Sequence, residues 1–205
     1  MSRQQPRSRA DQELDAASHD WRHRIASHQI GLRPAIDPRR DHVRGSEDPS
    51  ITLVEFGDYQ SADCVAAAAD LAELCDRFDG RLRFAFRHFP IGDAHPLALH
   101  AAEVAEAAGA QGRFWEMHDL IYGRERDLDP PLLRSLAKRI GLDVERFDAE
   151  IAHDAHLRHV MEDFQSGVDS GVNGTPTFFI GAERLDGDLG LTALQRALEE
   201  AGRSG

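Results

Sequence analysis

Two side chains able to do very different chemistry stand three residues apart in the stretch Val54-Glu-Phe-Gly-Asp-Tyr-Gln-Ser-Ala-Asp-Cys64. Ser61 offers a hydroxyl and Cys64 a thiol. The stretch reads as a strand, a turn and a helix that opens on Ser61. Free backbone N–H groups and the helix dipole stabilise a thiolate at such a start, so reactive cysteines are often placed there. A C-x-x-C pair in this position supports thiol–disulfide exchange, in which one thiolate attacks and a second resolves the mixed disulfide. In this chain the first position is a serine, and only Cys64 keeps its sulfur.

Each residue also has a plainer reading. Serine is a good helix N-cap, worth about 1 kcal/mol, and capping alone can account for Ser61. The first-turn position of Cys64 favours its thiolate, but Asp63, Asp58 and Glu55 add negative charge nearby, and burial would oppose it further. The balance favours a structural cysteine. Cys75, the second of the two cysteines, reads as core. If both lie on one helix, they are roughly 16 Å apart at about 1.5 Å per residue. A disulfide needs Cα atoms within about 7 Å, so they should not pair.

The histidines give a weaker signal. His153, His156 and His159 fall at i, i+3 and i+6, spread over about 120° of one helix face. A metal would need them to converge with a further ligand. They read as a solvated face, and no metal site is assigned. His88 and His95 flank the loop after a second strand, where packing or surface roles are expected.

The elements that position these residues follow from periodicity. Ile51 to Phe56 is a short apolar run with β-branched residues, as in a buried strand. Ala62 to Phe78 is a helix with Leu71, Leu74, Cys75 and Phe78 facing the core. Leu82, Phe84 and Phe86 alternate with Arg83, Ala85 and Arg87, a second strand. Strand, helix and strand suggest a right-handed βαβ unit. The middle of the chain is helical: Pro96–Ala108, Gln111–Tyr122, a helix opened by Asp129-Pro130, one capped by Asp143, and one from about Ala155 to Ser170. Strands return at Gly174-Thr-Pro-Thr-Phe-Phe-Ile180 and Glu183–Leu185. Leu189 to Ala201 closes the chain as a helix. Residues 1–45 have few large apolar residues. They are expected to form a polar arm, poorly ordered or docked on a surface, with a loose helix over Asp11–Ile30. The domain is expected over 46–205, with its helical insertion at about 96–170.

The bulk properties narrow the function. At 205 residues and 41% hydrophobic, the chain suits one domain with a real core. Net charge is −12. Residues 1–44 hold nine Arg and six acidic residues, +3, which leaves −15 on the remainder. So acidic a domain is a poor nucleic-acid binder. No stretch approaches the ~18 apolar residues of a membrane span, and none near the N-terminus reads as a signal peptide. A cytoplasmic location is expected, where thiols stay reduced.

The motifs together resemble the DsbA-like branch of the thioredoxin fold. They are Phe56-Gly-Asp-Tyr59 before the Ser61–Cys64 tetrad, Arg87-His-Phe-Pro90, Gly112-Arg-Phe-Trp-Glu-Met-His118, and Ser170-Gly-Val-Asn-Gly-Thr-Pro-Thr-Phe-Phe179. The resemblance covers roughly residues 40–203. Asp41-His-Val-Arg-Gly45 is also similar to domains appended to some sodium/proton antiporters. The resemblance implies an α/β thioredoxin-like fold (βαβ, helical insertion, ββα) and an ancestral thiol–disulfide oxidoreductase activity. It casts Cys64 as the resolving thiol, Glu55 as the buried carboxylate that moves a proton on and off it, and Thr175-Pro176 as a cis-proline loop beside the site. Tyr59, Thr175 and Pro176 are candidate binding residues. The attacking role falls on Ser61 and fails, because a serine forms no disulfide.

Three functions follow. The first is weak or monothiol redox activity through Cys64, with glutathione as an external thiol. The second is a non-catalytic module that binds an extended peptide in the cis-proline groove by strand addition. The third is a glutathione-transferase-like enzyme, since kappa-class transferases carry a serine at this helix start. The partners expected are thiol- or disulfide-containing peptides or glutathione, with no nucleic acid and no membrane insertion. Oligomeric state is left open.

Overall fold

The computed structural model describes residues 31–123, 128–187 and 190–204, together with Gln12. The helix expected over Asp11–Ile30 lies outside the described residues, apart from Gln12. Among the described residues five strands are formed: β1 (His42–Gly45), β2 (Ile51–Gly57), β3 (Leu82–His88), β4 (Thr177–Ile180) and β5 (Glu183–Arg184). They make one sheet ordered β1-β3-β2-β4-β5. β2 and β3 run parallel, while β1, β4 and β5 are antiparallel to their neighbours. The parallel pair is joined by helix α1 (Ala62–Arg77), so the βαβ unit is present. Between β3 and β4 lie α2 (Ala98–Gly109), α3 (Phe114–Tyr122), α4 (Pro130–Arg139), α5 (Val144–Ala152) and α6 (Leu157–Ser170). Helix α7 (Leu191–Ser204) follows β5. This is the mixed α/β, thioredoxin-like layout.

The core has two compartments, one on each face of the sheet. Leu53, Phe84 and Phe86 pack with Leu71 and Leu74 of α1, Met117 of α3, and Leu194 and Leu198 of α7. Val54, Phe56, Ala85 and Phe179 pack on the other face with Val160, Phe164 and Val168 of α6. Insertion helices therefore cover both faces. Local signals set their starts. Asp129 accepts a hydrogen bond from the Leu132 N–H, and Asp143 accepts one from the Arg146 N–H. These side chains satisfy N–H groups that the helix itself leaves orphaned.

One expectation needs correction, and it turns on Arg87 of β3, which is 0% exposed. Its Nε donates to Asp41 Oδ1 at 2.9 Å and its Nη2 to Oδ2 at 3.0 Å. Its Nη1 donates to the Pro34 carbonyl at 3.0 Å. The polar arm does not extend to residue 45. Leu32 and Ile36 pack on the α6 side of the core, and β1 joins the sheet edge beside β3. A charged side chain cannot be buried unpaired, so Arg87 draws Asp41 and the neighbouring carbonyls down onto the sheet.

Breaking this pair should be costly, because the remaining charge stays buried. Asp41→Ala is expected to lose about 3 kcal/mol, a fall in Tm of roughly 6–12 °C for a chain of this size. Deletion through residue 40 should also destabilise, since it removes Leu32, Ile36 and the carbonyl partners of Arg87. Thermal unfolding checks both, and an unchanged Tm would show that the segment contributes nothing to the fold.

Candidate active site

The site is built where the C-terminal end of β2 turns into α1. Ser61 is the N-cap, and its Oγ accepts the Cys64 N–H at 3.4 Å. The same Oγ donates to the Thr175 carbonyl at 3.1 Å. One hydroxyl thus closes the helix and ties it to the loop before β4. In that loop the Thr175–Pro176 peptide bond is cis. Thr175 and Pro176 are half-buried. With Arg184, Leu185 and Asp186, they line a groove of about 280 Å³. Ser61, Cys64, Thr175 and Pro176 are therefore brought together.

Asp58 shapes the approach to the helix, though the sequence reading treated it only as a nearby charge. It is 2% exposed. Its Oδ1 accepts the Gln60 N–H, and its Oδ2 accepts the Ile91 N–H and a hydrogen bond from His95 Nδ1. The contact to the N–H two residues on is an Asx turn, the one local signal that marks Asp58 in the sequence. The hydrogen bond to Asp58 raises the proton affinity of His95.

Behind the helix lies Cys64, wholly buried and not in a disulfide. Burial pushes its thiol far above the usual range, and the nearby Glu55 carboxylate adds to the shift. Contacts to Ser61 and to the Asp58 backbone pull the other way but are outweighed. Cys75, half-buried on the same helix, is also free.

Glu55 comes from β2 and is 1% exposed. Among the described residues, neither carboxylate oxygen has a partner at hydrogen-bonding geometry. The Cys64 thiol and the charge of Arg44 favour its ionised form, but burial dominates and raises it to about 8. At neutral pH both Glu55 and Cys64 are therefore mainly protonated. Glu55 borders a cavity of about 390 Å³ lined also by Arg44, Val65, His118 and Tyr122, among others. The Tyr122 hydroxyl is also buried without a hydrogen-bond partner. Gly57 permits this closeness, since a Cβ there would collide with Phe86, Tyr122 and Glu55.

Tyr59 corrects an expectation. It does not face the groove. It is 2% exposed and packs among Phe86, His88, His118 and Tyr122, with its hydroxyl 3.0 Å from His118 Nδ1. An aromatic ring buried so completely serves the core, not a ligand. His118 and Tyr122 were missed as site residues, although Phe114, His118 and Tyr122 share one face of α3 at four-residue spacing. His88 is buried on Glu106, at 2.8 Å. His153, His156 and His159 do not converge: the first bonds the Ala149 carbonyl, the second pairs with Glu150, and the third faces Glu106.

A helix start beside a cis-proline loop, on a βαβ unit with a helical insertion, defines a class that the comparisons identify. A family model described as thioredoxin matches residues 38–200, and the chain belongs to that family. Its fold is DsbA-like. A thioredoxin-like oxidoreductase from Silicibacter pomeroyi is 28% identical with a TM-score of 0.72, covering 82% of this chain and 95% of that one. BdbD from Bacillus subtilis shares the fold at 19% identity and a TM-score of 0.76, covering 85% of this chain and 100% of that one. The thiol-disulfide exchange protein alpha-DsbA2 from Wolbachia pipientis is 22% identical with a TM-score of 0.68, covering 95% and 99%. Among curated proteins, a Na(+)/H(+) antiporter NhaA 1 from Salinispora arenicola is 41% identical over 172 residues, 84% of this chain and 26% of that protein. The Na(+)/H(+) antiporter NhaA of Herminiimonas arsenicoxydans is 37% identical over 187 residues, 91% of this chain and 30% of that protein. The chain thus spans under a third of the length of these relatives. Among the described residues, no helix is long and apolar enough to cross a membrane.

The state of Glu55 has a measurable consequence. Its folded-state value of about 8 lies above the ordinary 4.5, so the native state holds the proton more tightly. The stability this confers is full below about pH 4.5 and is lost as pH rises towards 8. Glu55→Gln cannot ionise, so its stability relative to wild type should grow by a few kcal/mol between pH 5 and pH 8. Urea unfolding at the two pH values measures the difference, and parallel profiles would contradict a raised carboxyl.

Proposed function

We propose that this chain is a DsbA-family thiol–disulfide oxidoreductase scaffold with a degenerate Ser61-x-x-Cys64 site, whose own exchange activity is low. One observation carries the reading: the Ser61 hydroxyl gives its proton to the Thr175 carbonyl and accepts the Cys64 N–H, both structural contacts, while Cys64 lies fully buried behind it. A buried, protonated thiol is a poor nucleophile. Any mixed disulfide it formed with glutathione would also lack a neighbouring thiol to resolve it. The glutathione-transferase reading is weaker on the same ground. Its serine must turn its proton towards a bound thiolate, and here that proton is given to Thr175. Retained chemistry would be monothiol: Cys64 would attack a disulfide, such as oxidised glutathione or a disulfide-containing peptide, forming a mixed disulfide and releasing one thiol, and an external thiol such as glutathione would reverse it in a reducing compartment such as the cytoplasm.

A second reading is favoured by the groove at Thr175-Pro176 and by the names of the relatives. In it the domain binds a polypeptide without reacting with it, and serves as an accessory to a sodium/proton antiporter. Binding of an extended strand beside the loop would not need Cys64.

Intact mass after incubation with oxidised glutathione separates the readings. With Cys75→Ala in place so that one thiol reports, the expected result is slow, partial addition that disappears when Cys64→Ala is added. Rapid, complete addition would overturn the account of a sealed thiol. A complete absence of addition would favour the binding module.

Ser61→Cys tests the degenerate motif itself. It should place two sulfurs across a first helical turn, where such pairs close. Wild type is expected to be nearly inactive in a dithiothreitol-driven insulin-reduction assay. The variant should gain activity and form an internal disulfide, with Asp63 keeping the gain modest. If the new thiol cannot pair with Cys64, Ser61 does not occupy a lapsed nucleophile position.

A further inference from the structure

We propose that His42, Glu106 and His159 form a binding site for a divalent transition cation, with zinc the best match. They come from three elements far apart in sequence: β1, α2 and α6. One ligand atom from each lies within 4.8 Å of the others. Two imidazoles and a carboxylate are a ligand set that zinc accepts, and three protein ligands leave a fourth position for water. This site is independent of the reading of Ser61 and Cys64, and it differs from the helix-face triplet of His153, His156 and His159.

The side chains are held as ligands would be. The His42 ring stacks on Phe114 with centroids 3.4 Å apart and planes within 4°. Its Nε2 lies 2.7 Å from Glu106 Oε1. His159 Nε2 is 3.8 Å from the same oxygen and is buried with no hydrogen-bond partner among the described residues. A buried nitrogen left so carries a desolvation cost that a bound cation would remove. Tetrahedral zinc with bonds near 2.0–2.1 Å spaces its ligand atoms about 3.3 Å apart. The observed separations bracket that value, so small side-chain rotations would suffice.

A supporting shell is also in place. His88 Nε2 lies 2.8 Å from Glu106 Oε1 and can orient the carboxylate. Asp163 Oδ2 lies 3.9 Å from His159 Nε2. Asp163 is itself held by Arg40 and by the His88 N–H. The His42 and His159 side chains are 20% and 26% exposed, which gives a cation a way in. Bound there, it would clamp β1 to α2 and α6, joining the approach strand to the helical insertion. Its contribution to folding would be a stabilisation set by metal concentration.

The test uses the full chain, freed of metal with a chelator and titrated with zinc against a chromophoric indicator. Wild type should bind one equivalent with a submicromolar Kd and gain several degrees in Tm. His159→Gln removes a nitrogen that makes no hydrogen bond, so its metal-free Tm should stay close to wild type. Its zinc affinity should fall about a hundredfold or more. His153→Gln, on the exposed side of the same region, should bind like wild type. X-ray absorption of the zinc-loaded wild type should show nitrogen and oxygen ligands including imidazole. No tight equivalent in wild type, an unchanged affinity in His159→Gln, or sulfur ligation would each overturn the site. The spectrum decides even if a variant fails to fold.

Discussion

The candidate site depends on one constraint: Glu55 and Cys64 share a water-poor interior behind the first turn of α1. Burial alone favours the neutral form of each, and either one ionised would repel a charge on the other. Glu55 is raised to about 8, and Cys64 lies further above its ordinary value. The helix dipole and the Ser61 contact act against this but do not reverse it. On the proposed reading, the scaffold keeps the proton-holding half of a thiol-exchange site. What is missing is the exposed sulfur that would use the proton.

Ser61 resolves the helix start differently. A thiolate there would draw on the free N–H groups of α1. The hydroxyl instead accepts the Cys64 N–H and passes its own proton to the Thr175 carbonyl. Helix and loop are thereby held together without any charge. A site stabilised in this way has its geometry set and its reactivity lowered by the same two hydrogen bonds. On the opposite face of the sheet, Arg87 and Asp41 play the corresponding structural part, fixing residues 31–45 to β3 and α6.

Much of this was legible in the chain. Ile51–Phe56, the stripe of Leu71 and Leu74, and the caps at Asp129 and Asp143 announced their elements through local periodicity and capping. So did Thr-Pro-Thr-Phe-Phe before β4. The apposition of Ser61 and Thr175 came from family resemblance, because no local rule joins residues so far apart. What stayed hidden was set by long-range partners. The burial of Arg87 was not legible, because alternation cannot report what covers a strand. Residues 31–45 looked like an arm because a buried ion pair leaves no periodic mark. Tyr59 looked like a binding residue because its neighbours His118 and Tyr122 lie in another helix. The meeting of His42, Glu106 and His159 needed three elements to be placed first.

The central claim is that Cys64 is sealed and protonated in the native protein. The most direct measurement is the pH dependence of its alkylation rate, taken with Cys75→Ala so that one thiol reports. The account predicts a native rate far below that of the urea-unfolded chain, with no inflection near the ordinary thiol value of about 8.5. A native rate that matches the unfolded one, or an inflection at or below neutral pH, would contradict it and make Cys64 a working nucleophile.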